Sequence, residues 1–260
     1  VFTEGGIALD PVLRLEGVTL EMDSYAAKYL HTFELFDKTA RLDFIQGYQD
    51  ATWEGLLDGA PATTTRSGWS DTAMRFALNL LGAPPLSGKE FSAYRSSLDH
   101  ETIVGAGMVL ILPTGDYHEE KLINLGENRF SFRPQVGVVH EWDQWSLEFT
   151  GSTWLYTDND EFFNGNVLEV DPFVTMQGHL IHTFSPGLWL GLGVGRDFGG
   201  QSTVNGLEKS DRKSSYTWGA TLGIPVNRAV GLKFGYISTR TQEKVGADLD
   251  HLIFAASVMW

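Results

Sequence analysis

Leu188 to Phe198 reads LWLGLGVGRDF. Taken with period two, it places Leu188, Leu190, Leu192 and Val194 on one face and Trp189, Gly191, Gly193, Gly195 and Asp197 on the other. A half-solvated antiparallel strand would set its leucines against charged or hydroxyl side chains. Here they stand against glycines, which weaken a strand interior, so bulk is unwanted on that face. The pattern fits leucines turned to lipid and glycines turned to a narrow lumen, and it predicts an all-β chain folded as a closed transmembrane barrel.

The rest of the chain agrees with that reading. Divided among twelve strands, the 260 residues give each roughly 22, enough for the roughly 9 to 11 that cross a bilayer plus a connection. The longest apolar run, Ile103 to Leu112, is too short for a spanning helix and long enough for a spanning strand. A mean hydropathy of −0.12 is ordinary where only alternate residues meet lipid. There is no cysteine, which excludes disulfides and thiolate metal sites. The net charge of −14 argues against a nucleic-acid partner, because phosphate neutralisation needs clustered Lys and Arg. The sequence starts at Val1 without an apolar leader, so a secretory signal, if one exists, is removed or lies outside it.

Strands are expected near 1–8, 20–36, 40–52, 69–81, 102–112, 131–142, 145–156, 172–184, 188–198, 215–224, 230–241 and 249–260. The connections alternate in length: Asp143-Gln144 and Ser185-Pro186-Gly187 are tight, whereas 54–68, 113–130, 157–171 and 201–214 are long. Short turns on one side and long loops on the other are the habit of an up-and-down antiparallel outer-membrane barrel. The exception, 82–101, has capping-box spacing at Ser87 and Glu90 followed by Phe91, Tyr94 and Leu98, which predicts one short periplasmic helix near 87–98. Aromatics near the strand ends, among them Phe33, Trp142, Trp145 and Phe184 on one side and Trp53, Trp69, Tyr156, Tyr216 and Tyr236 on the other, are read as two interfacial belts. Pro134 cannot donate to a ladder and marks a bulge or a local break. The whole of 1–260 reads as one barrel domain.

Assigning the less apolar parity to the interior lines the lumen with Arg41, Asp43, Asp71, Arg75, Arg133, Glu148, His179 and Lys233. Both signs occur, so these groups pair across the interior or sit in water. Phe162, Phe163 and Leu168, in the long loop between the seventh and eighth expected strands, offer an apolar mouth for an uncharged aromatic solute. Catalytic chemistry finds no footing: there is no Gly-x-Ser-x-Gly elbow. GAPPLSGKE (82–90) has five residues between its glycines instead of four, and a glutamate where a phosphate loop needs Ser or Thr. The acidic run Asp158 to Glu161 departs from a calcium loop at Phe162, and Tyr117-His118-Glu119-Glu120 lacks a second histidine. No catalytic residue, metal or cofactor is expected.

Several segments read together resemble a known family: HTFELFDKTARLDF (31–44), LLGAPPLSGKEFSAYR (80–95), KLINLGENRFSFRPQVGVVH (121–140), TDNDEFFNGNVLEVDPFVTMQGHLIHTFSPGLW (157–189) and STVNG (202–206). They are similar to the outer-membrane transporters grouped as the MetA-pathway phenol-degradation family, from about residue 20 to the C-terminus. The resemblance implies a Gram-negative outer-membrane barrel that passes small, often aromatic, compounds. The expected function is therefore a channel or facilitator in the bacterial outer membrane, in contact with membrane lipid, lipopolysaccharide and a small solute. The alternative is a sealed structural barrel that holds a protein partner at the periplasmic helix or the outer loops.

Overall fold

The structure, a computed structural model, describes residues 2–3, 15–57, 59–86, 90, 93–94, 97–227, 229–243 and 248–258. In chain order the strands are β1 (Phe2–Thr3), β2 (Leu15–Leu35), β3 (Lys38–Leu57), β4 (Ala60–Trp69), β5 (Thr72–Leu81), β6 (His100–Leu112), β7 (Ser131–Trp142) and β8 (Trp145–Tyr156). There follow β9 (Asn159–Phe162), β10 (Asn166–Val170), β11 (Phe173–Ser185), β12 (Leu188–Gly199), β13 (Ser202–Val204), β14 (Leu207–Glu208), β15 (Lys213–Pro225), β16 (Val230–Thr241) and β17 (Leu249–Val258). β2, β3, β5, β6, β7, β8, β11, β12, β15, β16 and β17 are neighbours in that order, each pair antiparallel. β1 sits between the two ends, with Phe2 opposite both Asp250 and Glu21, and closes a ring of twelve described strands. No described helix is long and apolar enough to cross a membrane.

The opening stretch forms β12, and its alternation is realised: Leu192 and Val194 are 53% and 66% exposed. The same holds along the wall at Phe149, Trp218 and Phe254, so the large apolar side chains point away from the ring and towards lipid. The glycines have a more specific reason than a narrow bore. A Cβ on Gly193 would fall 2.6 Å from Cδ2 of His179, and one on Gly223 would collide with the Trp189 indole. Each ring lies flat along the wall in the space that its neighbour's missing side chain leaves. Replacing Gly223 by Val should cost about 1–3 kcal/mol by overpacking and push Trp189 into the lumen. Lower single-channel conductance would report that displacement. Gly151, with nothing within 4 Å of its Cβ position, is the control that should tolerate the same change.

β3 carries two partners in succession: Ala40 to Ile45 pairs with β5, and Tyr48 to Leu57 pairs with β4. β2, β3 and β4 therefore continue past the barrel as a ribbon. β4 occupies a stretch that alternation reads as loop. β4 offers no apolar period of its own, and the run Thr63-Thr64-Thr65 supports it as a strand through β-branching. A second sheet, in the order β14-β13-β10-β9, forms within two further long connections. The expected helix near 87–98 lies largely outside the described residues, although Glu90, Ala93 and Tyr94 are helical there. Trp260 and most of the first expected strand also fall outside them. At Pro134, pairing with β6 continues opposite Met108, while the ladder to β8 passes from Phe132–Leu155 to Gln135–Ser152.

Candidate functional site

The interior carries two contrasting walls. On the first, the hydrogen-bonded register places Asp43, Arg75, Val109 and Arg133 opposite one another in a single row across β3, β5, β6 and β7. Asp43 is fully buried and acts as the shared counter-ion of three cations. Arg41 grips it with a planar fork, Nε donating to Oδ1 at 2.7 Å and Nη2 to Oδ2 at 2.9 Å. Lys28 Nζ lies 3.2 Å and Arg75 Nη1 3.8 Å from Oδ2. Arg133 lies further along the row, its guanidinium 4.5 Å above the ring of Trp154. Two strictly alternating strands explain the convergence: Arg41 and Asp43 share the inner parity of β3, and Lys28 shares it on β2 with the partner of Asp43, Leu30.

The opposite wall is built on β8, β11, β12, β15 and β16. Here Glu148, His179, Gly193, Gly219 and Ile237 form one register row, and His179 Nδ1 lies 4.0 Å from a Glu148 carboxylate oxygen. With Trp189, Thr221 and Lys233 they line a cavity of about 370 Å³. In a ring of twelve, β3 and β5 are six places from β12 and β15, so the arginine wall and the glycine wall face each other across the bore.

Of the residues assigned to the lumen from sequence, Arg41, Asp43, Arg75 and Arg133 fall on the first wall, and Glu148, His179 and Lys233 on the second. Asp71 is placed elsewhere. It sits in the turn before β5, where Oδ1 accepts from Gly115 N at 2.8 Å and Oδ2 from Glu127 N at 2.9 Å, tying down the 113–130 loop. Burial pushes its carboxyl above the usual carboxylate range, against the pull of those two donors. Phe162, Phe163 and Leu168 lie in the outer four-stranded sheet, Phe162 opposite Asn166 and Leu168 opposite Val204, with Phe163 in the turn between β9 and β10. Lys28 and Trp154 carry no motif. Their only signal is parity, opposite to Tyr25 and Tyr29 on β2 and to Leu147 and Phe149 on β8.

The long-loop end is covered from within. Leu20, Met22, Val18, Ala51 and Trp53 pack with Ile123 and Leu125 of the 113–130 loop. Arg66 of β4 donates from Nε to the Ile123 carbonyl at 3.1 Å. Arg129 stacks 4.4 Å over Tyr156 and pairs with Glu127 at 2.9 Å. Trp53 and Tyr156 thus belong to the interior and not to the outer belt expected for them. Position along a strand made them look interfacial, while parity turns them inward. Trp69 and Tyr216 are half exposed, and Trp145 meets His182 at 4.4 Å near the short turns.

An apolar outer wall, a charged bore and connections sorted by length define a transmembrane barrel of the outer-membrane type. The crystal structure of the COG4313 outer membrane channel from Pseudomonas putida F1 has this fold: it matches with a TM-score of 0.79 at 21% identity, over 99% of this chain and 91% of that one. Residues 7–245 match the family described as "Putative MetA-pathway of phenol degradation", and the chain belongs to that family. No curated protein matches it.

Proposed function

We propose that the chain is a non-enzymatic channel of the bacterial outer membrane that passes small solutes, aromatic ones among them, between the arginine wall and the glycine wall. The observation that carries this reading is the inversion of the molecule: lipid-facing positions are apolar, and the facing interior positions are charged or reduced to glycine. Charged groups in such numbers are tolerable inside a barrel where they are paired or where water reaches them, and the cations around Asp43 outnumber the carboxylate they share. The family and the channel from P. putida support the same assignment. Membrane lipid and lipopolysaccharide are the partners that such a wall meets.

A second reading, a sealed structural or docking barrel, draws on the apolar cap. Ile123 and Leu125 are held over the mouth by Trp53 and by Arg66. The two readings part in a planar bilayer. Wild-type barrels should conduct, and Arg66→Ala, by releasing the loop, should raise the open probability several-fold. Heat-modifiable, membrane-inserted protein with no conductance in either form would favour the sealed barrel.

A further inference from the structure

At the level of Asp43 the first wall is out of charge balance, its other inward carboxylates, Glu101 and Glu141, standing further along β6 and β7 towards the short turns. Lys28, Arg41, Arg75 and Arg133 face the lumen from β2, β3, β5 and β7, and Asp43 is the carboxylate that the first three share. Four cations against one anion leave a local excess of three positive charges. Arg41 repels Arg75, and Arg75 repels Arg133. Such a row is costly unless it faces water or an anion. Two of its donors also lack a protein acceptor: Nε of Arg75 and Nε of Arg133 are buried without a hydrogen-bond partner among the described residues. Asp43 is already saturated by the fork from Arg41 and the contact from Lys28, so it has little left to offer Arg75 at 3.8 Å.

We infer that Arg75 and Arg133 form a binding site for the carboxylate of a small organic acid, so that the bore selects such monoanions over cations and over their uncharged counterparts. This rests on the channel reading above and names its solute class. Planarity favours a carboxylate. One face of the Arg133 guanidinium is covered by Trp154 at 4.5 Å, which holds the group flat and leaves its edges as the donors. A guanidinium edge presents two parallel N–H groups that match the two oxygens of a carboxylate. Interruption of the β7–β8 ladder at Arg133 and Pro134 falls at the same point. The mixed signs inside the barrel suggest little selectivity when counted together. Their uneven spacing restores it, because the cations outnumber the carboxylate beside Asp43, whereas Glu148 and Lys233 occur together on the second wall.

The test uses purified full-length barrels, with sodium benzoate and benzyl alcohol as a charged and an uncharged probe of similar shape. Calorimetry should show benzoate binding and no comparable binding of benzyl alcohol. Arg133→Gln should weaken benzoate by about tenfold or more, the loss of a charge-assisted pair. Arg133→Lys, which keeps the charge and loses the fork, should retain anion preference while losing most of the benzoate affinity. In a bilayer under a KCl gradient, the reversal potential should lie on the chloride side and move towards zero in Arg133→Gln. Arg240→Gln, on the outer wall, should leave both readouts unchanged. Equal binding of the two probes, equally strong competition by inorganic phosphate, or an Arg133→Gln barrel with unchanged affinity and reversal potential would overturn the proposal. Benzoate binding that depends on Arg133 in a barrel that does not conduct would support the site while removing the channel reading.

Discussion

Asp43→Asn is expected to destabilise the barrel by about 3 kcal/mol, the lower end of the roughly 3–5 kcal/mol for breaking a buried ion pair by removing one partner. The side chain is fully buried, and its loss leaves Lys28, Arg41 and Arg75 facing one another without their counter-ion. The lower end applies because those cations are each a third or more exposed, and water screens part of the repulsion. Urea titration of the folded barrel, followed by tryptophan fluorescence or by the shift in gel mobility on heating, would measure it. Adding Arg41→Gln should return part of the lost stability, since it removes the charge that the missing carboxylate held most closely. Molecules of the Asp43→Asn variant that do fold should prefer anions more strongly than wild type. An unchanged urea midpoint would show that Asp43 is not the keystone of this wall.

The second large effect is expected on the other side of the same shell. Leu192→Arg puts a guanidinium at the middle of the outer face of β12, where the leucine is more than half exposed to lipid. A charged residue at the bilayer midplane costs a transmembrane barrel about 2–4 kcal/mol. Insertion into lipid vesicles should fall sharply, with material accumulating in the form that heating no longer shifts. Thr221→Lys, which faces the lumen from β15, should insert normally and alter only conductance. Normal insertion of Leu192→Arg would mean that the leucine face does not meet hydrocarbon, and the barrel reading would fail with it.

Alternation makes both faces of the barrel wall legible. LWLGLGVGRDF declares both of its faces without help from the rest of the chain, and Tyr216 to Leu222 does the same. Period two carries over into the interior, so parity alone turns Arg41, Asp43, Arg75 and Arg133 to the same side of their strands. What alternation cannot supply is azimuth. It says that a residue points inward but not at which neighbour, so the gathering of three cations on Asp43 and the separation of two walls emerge only from the register. Lys28 illustrates the loss, because its strand runs far past the barrel and mixes membrane and extramembrane patterns in one stretch. Asp71 shows the converse. It has the chemistry of a lumen residue but stands in a turn, where strand parity has no meaning, and its carboxylate is spent on backbone N–H groups of a neighbouring loop.

The length of β2 and β3 has a consequence of its own. At about 3.3 Å per residue, their 21 and 20 residues measure roughly 65–70 Å along the chain. A tilt of about 45° brings that to roughly 45–50 Å of height, against an apolar band about 25 Å tall. The surplus rises beyond that band like a mast, with β4 folded back against it and Gly59 turning at its tip in a conformation open to glycine (φ +80°). An epitope tag spliced in at Gly59 would be displayed to the medium without disturbing the bore, and would make intact cells easy to score for correctly assembled protein.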